Sequence, residues 1–264
     1  MLIFLKLGGS LVTAKDQPYT ARVDMIKQVA SEILSALKDH KELKLLIGHG
    51  SGSFGHYAAK DSGTRYGVTT DLQWRSFQQV WYAARSLNNI IVDELNRAGL
   101  PVISFQPSAS ITANNQKIKE WNITPILQSI NHGMIPIIHG DVIFDQQLGG
   151  VILSTEDLFI SLVDTLRPGM ILIAGKEEGV YSDYPHNKEI IPLITLDNSH
   201  AFSESIHTSG TIDVTGGMQE KVKLMLAVIQ KYPDVQIQIF CGERPGNILH
   251  SIAGKMIGTR IAIS

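Results

Sequence analysis

The stretch Met1-Leu-Ile-Phe-Leu-Lys-Leu-Gly-Gly-Ser10 decides the fold of this chain. Its apolar run predicts a buried strand over Leu2–Leu7, and the Gly-Gly pair predicts a tight loop directly after that strand. From there the sequence alternates short β-rich runs with segments of helical period, such as residues 22–38 and 71–97. Repeated strand–helix–strand order favours a mainly parallel sheet with helices on both faces. We therefore predict an α/β fold.

The composition limits the class of protein. The chain has 264 residues, 44% of them hydrophobic, which suffices for a core without disulfides or a structural metal. Its 23 Lys and Arg residues against 25 Asp and Glu residues give a net charge of -2, so we expect neither nucleic acid nor a membrane as a partner. With one cysteine, Cys241, no apolar run near ~20 residues and no signal-peptide features, the sequence predicts a soluble, cytoplasmic protein.

Three glycine-rich segments are candidates for binding phosphate groups. They are residues 6–10 after the first strand, residues 48–56 after the second, and residues 213–221 at the start of a helix. Glycine lets backbone amides approach an anion closely, and a helix N-terminus or a lysine adds positive charge. The Walker P-loop pattern is absent, and the G-x-G-x-x-G at Gly50 lacks the following acidic strand of a dinucleotide fold. The sequence therefore predicts phosphate loops on neither of the common phosphate-binding folds.

These motifs, taken in order, resemble the isopentenyl phosphate kinases of the amino acid kinase superfamily. The resemblance rests on Lys6-Leu-Gly-Gly-Ser10, His49-Gly-Ser-Gly-Ser-Phe-Gly-His56, Gln106-Pro-Ser-Ala109, Gly140-Asp-Val142, Asp213-Val-Thr-Gly-Gly-Met218 and Gly258-Thr-Arg260. It implies an open αβα sandwich with a mainly parallel central sheet, formed by one domain over residues 1–264. About 1–153 would bind the phosphate acceptor and about 154–264 would bind ATP.

The resemblance also implies an activity: direct in-line phosphoryl transfer from ATP to isopentenyl phosphate, with Mg²⁺, in isoprenoid precursor synthesis. A homodimer is implied as well. Because two polyanions must meet, catalysis requires positioning and charge neutralisation. The implied catalytic residues are Lys6, Lys15, His56, Glu156 and Lys221. Lys6 would hold the β- and γ-phosphates, Lys15 would reach the transferring group, and His56 would bond the acceptor phosphate.

Further residues are implied in binding, and no protein residue is predicted to ligate a metal. The implied nucleotide-binding residues are Gly8, Gly9, Ser10, Gly179, Tyr181, Asp183, Gly216, Gly217 and Lys221. The implied substrate-binding residues are Gly50, Ser51, Gly52, Ser53, Gly55, His56, Phe77, Trp81, Glu156 and Asp157. The amides of Gly50, Gly52 and Gly55 would cradle the acceptor phosphate.

Several alternatives remain open at this stage. The family pattern places an aspartate after a small residue, whereas this chain has Thr155-Glu156-Asp157, so either Glu156 or Asp157 takes that role. Asp157 with Ser154 would equally form a helix cap. Phe77 and Trp81 are at a spacing that also suits core aromatics. A fosfomycin kinase and a non-catalytic nucleotide sensor are competing functions, and the three lysines argue against the sensor. Carboxylate kinases fit less well, because His56 stands on the acceptor side without an evident arginine.

Overall fold

The computed structural model describes residues 1–59, 63–183, 186–198 and 217–263. The strands, in chain order, are β1 (Leu2–Leu7), β2 (Lys44–His49), β3 (Val102–Ser104), β4 (Ile111–Asn114), β5 (Lys117–Trp121), β6 (Ile135–His139), β7 (Asp141–Asp145), β8 (Gly149–Leu153), β9 (Met170–Gly175), β10 (Leu193–Ile194), β11 (Gln236–Cys241) and β12 (Thr259–Ile261). The helices are α1 (Gly9–Val12), α2 (Val23–Asp39), α3 (Gly52–Ala59), α4 (Asp71–Arg97), α5 (Pro107–Ser110), α6 (Thr124–Asn131), α7 (Thr155–Leu166), α8 (Gly217–Lys231) and α9 (Asn247–Ile252).

A sheet of eight strands forms the centre of the fold, in the order β10-β12-β11-β9-β1-β2-β6-β3. Strand β1 lies between β9 and β2 and runs parallel to both. Strand β12 is antiparallel to β11, so the sheet is mainly rather than wholly parallel. A second sheet, in the order β5-β4-β7-β8, contains the antiparallel pairs β4–β5 and β7–β8.

Side chains of the central strands enter two hydrophobic cores, one on each face of the large sheet. Phe4 packs with apolar residues of α6, α7, α8 and the smaller sheet, whereas Ile3 and Leu5 pack with α2, α4 and α9. This division follows from the two-residue period of a strand, which sends successive side chains to opposite faces. The predicted open αβα sandwich with a mainly parallel central sheet is therefore confirmed.

Helix α3 is one of several short elements that the sequence did not predict, and it is the one that holds His56. The glycine-rich segment 48–56 predicts a loop, yet from Gly52 onward it is helical, and His56 lies on that helix. Phe54 is buried in the core that also contains α2 and α4, so tertiary packing outweighs the low helix propensity of glycine. At the other end of the chain, α8 is described from Gly217, and Gly216 with the preceding Asp213-Val-Thr lies outside the described residues.

None of the helices in the described part of the chain has the length and apolar character needed to cross a bilayer.

Candidate active site

The carboxyl ends of four neighbouring strands bring the predicted phosphate loops together. In the sheet register, Leu7 of β1 pairs with His49 of β2 and Ala174 of β9, and His49 pairs in turn with His139 of β6. The Gly8 amide donates to the Ala174 carbonyl at 2.7 Å, which starts the first glycine loop directly beside β9. Ligands of open α/β sheets bind at this edge, so the loops after β1, β2, β6 and β9 form the candidate site.

The first two glycine loops pack backbone against backbone. A Cβ atom added to Gly9 would lie 2.6 Å from the Gly52 Cα atom, and one added to Gly50 would lie 2.9 Å from the Gly9 nitrogen. Gly52 also has φ +47°, in the left-handed region that favours glycine. These glycines are therefore required by the close approach of the two loops.

Lys6 and Glu156 form a buried ion pair at the centre of the candidate site. Their side chains are only 6% and 7% exposed. Burial lowers the pKa of Lys6, while the charge of Glu156 opposes that effect and Lys221 adds to it. Burial acts to raise the pKa of Glu156, but Lys6 and Lys221 together lower it below its ordinary value. The structure thus brings together three of the predicted catalytic residues, from β1, α7 and α8.

Asp157 has a different environment from Glu156. Its Oδ2 atom accepts hydrogen bonds from the Ser154 amide at 2.8 Å and the Ser154 hydroxyl at 2.7 Å, which completes a capping box at the start of α7. The cap that the sequence suggested for Ser154 and Asp157 is confirmed. Glu156, one position further toward the N-terminus of the helix, is the carboxylate that contacts Lys6.

Helix α3 holds the predicted acceptor residues Ser53, Gly55 and His56, with Ser51 directly before its first residue. His56 is half-buried near the end of this helix. The Gly50 amide donates to the Leu7 carbonyl at 3.0 Å, and the Gly55 amide donates to the Ser51 carbonyl at 3.2 Å. The prediction that the amides of Gly50, Gly52 and Gly55 cradle the acceptor phosphate is therefore wrong for Gly50 and Gly55. The Gly50 N–H group is already engaged by the neighbouring parallel strand, and the Gly55 N–H group by a helical hydrogen bond.

Behind these loops lies a buried polar network of residues that were not among the predicted site residues. The two ring nitrogens of His49 lie 3.1 Å from the Gly50 carbonyl and 3.2 Å from Asn88 Oδ1, and Asn88 donates to Ser104 Oγ at 2.9 Å. The His139 ring contacts His49 edge-on at 5.3 Å. Burial is the main reason that the pKa of each imidazole is lowered, so burial favours the neutral form of both rings. The network ties the second glycine loop to α4.

Asp141 follows β6 at the same edge of the sheet. Burial raises the pKa of its carboxyl group from 3.8 to about 6, against the opposing effect of hydrogen bonds from Ser108 and the Val142 amide. The amides of Ser108 and Val142 donate to it at 3.1 and 2.9 Å. The carboxyl group therefore anchors the segment after β3 to the start of β7.

The predicted nucleotide residues fall into two groups. Gly8 directly precedes α1, Gly9 and Ser10 are its first two residues, and Gly217 begins α8, the helix of Lys221. Gly179 packs against Thr259, whose hydroxyl accepts from the Val180 amide at 2.8 Å. The Tyr181 hydroxyl accepts from the Glu178 amide at 3.4 Å, and Asp183 accepts from the Lys188 and Glu189 amides. The side chain of Asp183 thus organises a turn.

The remaining predicted residues are Lys15, Phe77 and Trp81. Lys15 is exposed in the turn between α1 and α2. Phe77 is buried in a small apolar cluster with Val68, Val80 and Val142, and its ring contacts the Phe144 ring at 5.1 Å. Trp81 packs at the edge of the same cluster, as do Ala58 and Ala59 of α3. The cluster therefore adjoins the helix of His56.

Comparison with known proteins gives similarity along the whole chain. A model of the amino acid kinase family matches residues 1–241. The isopentenyl phosphate kinase of Methanocaldococcus jannaschii is 32% identical over 273 residues, which cover 100% of each chain. That of Methanothermobacter thermautotrophicus is 34% identical over 271 residues and 98% of each chain. A solved structure of an isopentenyl phosphate kinase superposes with a TM-score of 0.83 at 29% identity, over 99% of this chain and 100% of the other.

Proposed function

This chain belongs to the amino acid kinase family, and from that premise we propose that it transfers the γ-phosphoryl group of ATP to isopentenyl phosphate. The products are isopentenyl diphosphate and ADP, in isoprenoid precursor synthesis. The observation that carries the proposal is the buried Lys6–Glu156 pair, with Lys221 close by, at the edge where the glycine loops meet. The full-length similarity to isopentenyl phosphate kinases supports the choice of acceptor.

The main obstacle to this reaction is the repulsion between two anions. An oxygen of the acceptor phosphate forms a bond to the γ-phosphorus while the bond from that phosphorus to the oxygen retained by ADP breaks. Lys6 and Lys221 offset the charge of the nucleotide phosphates, and Lys15 approaches the transferred group. Glu156 keeps Lys6 protonated and in place, because an unpaired buried lysine tends to lose its proton.

The acceptor is proposed to bind in the first part of the chain, about residues 1–153, and ATP in about residues 154–264. His56 bonds the acceptor phosphate, since an imidazole donates a hydrogen bond in either protonation state. The alkenyl tail lies against the apolar cluster of Val68, Phe77 and Val80, with Trp81 at its edge. An apolar lining suits a five-carbon chain without polar groups.

Mg²⁺ is proposed to arrive bound to the phosphates of ATP. The described residues contain no group of three or more His, Cys, Asp or Glu side chains arranged to hold a metal ion. The charge of Lys221 acts on both members of the ion pair, and the Glu156 carboxylate already pairs with Lys6. This set does not suit a protein-held cation, whereas Mg²⁺ commonly binds through substrate phosphates and water. We therefore assign no step to a protein-bound metal.

Two further proposals concern the protein in the cell. We propose a homodimer on the basis of the family resemblance, which analytical ultracentrifugation at micromolar concentration would test. We also propose a cytoplasmic location, which the buried free thiol of Cys241 supports because such thiols persist in reducing compartments.

The proposed function is tested by an assay that couples ADP release to each of three acceptors: isopentenyl phosphate, fosfomycin and N-acetylglutamate. The expected result is the highest kcat/KM with isopentenyl phosphate. Preferred turnover of fosfomycin would instead assign a phosphonate kinase, and preferred turnover of N-acetylglutamate a carboxylate kinase. Turnover of none of them would favour a nucleotide sensor.

His56 gives a second test of the acceptor site. In His56→Ala we expect kcat/KM for isopentenyl phosphate to fall by about a hundredfold, while the Kd for ATP changes by less than about threefold. Equal effects on the two ligands would contradict the assignment of His56 to the acceptor. His40→Ala is a matched control, because His40 lies at the end of α2 and is not among the predicted site residues.

A further inference from the structure

The hydroxyl group of Thr13 connects the first glycine loop to helix α3. Thr13 is 1% exposed and directly follows α1. Its Oγ1 atom donates to the Gly9 carbonyl at 2.7 Å and accepts from the Ser53 amide at 2.9 Å. Gly9 and Ser53 belong to different predicted phosphate loops. A single buried hydroxyl therefore has one bond to each of them.

The bond to Ser53 has the role of a helix cap supplied from a distant part of the chain. Amides in the first turn of a helix have no intrahelical acceptor, and a side-chain oxygen usually satisfies one of them from the residue just before the helix. Here the oxygen comes from Thr13, 40 residues earlier. A Cβ atom on Gly52 would overlap Thr13 Oγ1, so the threonine is in direct contact with the first residue of α3.

The contact between Thr13 and Ser53 bears on the reaction because Ser53 and His56 lie on the same helix. His56 is three residues after Ser53, on the same short helix. The Gly9 carbonyl belongs to the loop that follows Lys6 and starts α1. The two loops already touch through Gly9 and Gly52, where no side chain can enter. The Thr13 hydroxyl adds a polar side-chain link between the two loops at this contact.

We propose that Thr13 is a positioning residue whose hydroxyl holds the start of α3 against the first glycine loop. His56 then holds the acceptor phosphate in line with the γ-phosphoryl group that Lys6 contacts. This inference rests on the proposed function. Thr13 touches neither reactant in this scheme and acts through His56. Valine has nearly the shape of threonine but neither donates nor accepts, so it would leave the buried Ser53 amide without its partner.

The test compares Thr13→Val and Thr13→Ala, which lack the hydroxyl, with Thr13→Ser, which keeps it. Each is assayed with isopentenyl phosphate and ATP at 25 °C, below the melting temperature measured for the same preparation. In both hydroxyl-free variants we expect kcat/KM for isopentenyl phosphate to fall by about tenfold, with KM for ATP within about twofold of wild type. Thr13→Ser is expected to restore kcat/KM to within about twofold of wild type.

Each outcome separates this inference from the function on which it rests. If wild type turns over isopentenyl phosphate and the folded hydroxyl-free variants match it, Thr13 has no positioning role. The same conclusion follows if the two variants lose affinity for ATP and for the acceptor equally, or if they only melt at a lower temperature. If wild type does not turn over isopentenyl phosphate at all, the proposed function fails first. If Thr13→Val does not fold, Thr13→Ala decides between these results.

Discussion

The substitution Glu156→Gln tests the central ion pair most directly, because it removes one charge and preserves the shape of the side chain. Lys6 would then be a buried cation without its partner and still close to Lys221. Removing one member of a buried ion pair costs roughly 3–5 kcal/mol of stability. Lys6 can also give up its proton, and the gap between its ordinary pKa of 10.5 and pH 7 corresponds to about 5 kcal/mol. Whether Lys6 stays charged without a partner or loses its proton, the loss in the free energy of unfolding is therefore at most about 5 kcal/mol.

The pH dependence of this loss has a definite sign. The pKa of Glu156 is lowered in the folded protein, so its contribution to stability is present above 4.5, its ordinary value, and is lost as the pH falls through the folded value. Urea unfolding of wild type and Glu156→Gln should therefore differ by several kcal/mol at pH 7, and this difference should shrink below about pH 4. At pH 7 we also expect kcat/KM to fall by about a hundredfold, since Lys6 loses charge where phosphate is bound.

Asp157→Asn is the matched control, because it changes the neighbouring carboxylate in the same helical turn. It should weaken the cap of α7 by about 0.5–2 kcal/mol. It should lower the pKa of Lys6 less than Glu156→Gln does, because the charge of Asp157 acts on Lys6 more weakly than that of Glu156. The reasoning is refuted if Glu156→Gln is as stable as wild type at pH 7 and its difference from wild type does not vary with pH. A larger loss of kcat/KM in Asp157→Asn than in Glu156→Gln would transfer the catalytic role to Asp157.

Two further predictions concern the loops around the ion pair. Gly52→Ala should lower the free energy of unfolding by about 2–4 kcal/mol, because it adds left-handed backbone strain and overlap with Thr13. Gly133→Ala is the control: Gly133 has φ +75° with open space around it, so this variant should lose only about 1 kcal/mol. Equal losses of the two variants in denaturant unfolding would contradict the close loop contact. Burial raises the pKa of Asp141 from 3.8 to about 6, so the stability of wild type is lost as the pH rises through about 6. The free energy of unfolding of Asp141→Asn should therefore increase relative to wild type by up to about 3 kcal/mol between pH 4 and pH 8. A pH-independent difference between Asp141→Asn and wild type would show that the carboxyl group titrates normally in the fold.

The sequence pattern did not predict that helix α3 would form. The spacing of Gly50, Gly52 and Gly55 is that of a flexible loop, and local propensity gives no reason for a helix there. Phe54 of this helix is buried, and the Ser53 amide donates a hydrogen bond to Thr13 Oγ1; the local sequence pattern contains neither contact. Helix α4, in contrast, was predicted over its full length of Asp71–Arg97, because its apolar residues recur at helical spacing.

The sequence by itself determined the αβα architecture and the edge at which phosphate chemistry would occur. Apolar strands alternate with amphipathic helices, and glycine motifs follow the strands, so local pattern is sufficient for both conclusions. Only the tertiary structure decided which carboxylate meets Lys6 and which hydroxyl links the two loops. Lys6 and Glu156 are 150 residues apart, and Thr13 and Ser53 are 40 apart. Such pairs depend on sheet register and on the rotation of each helix about its axis, which residue order within a segment does not specify.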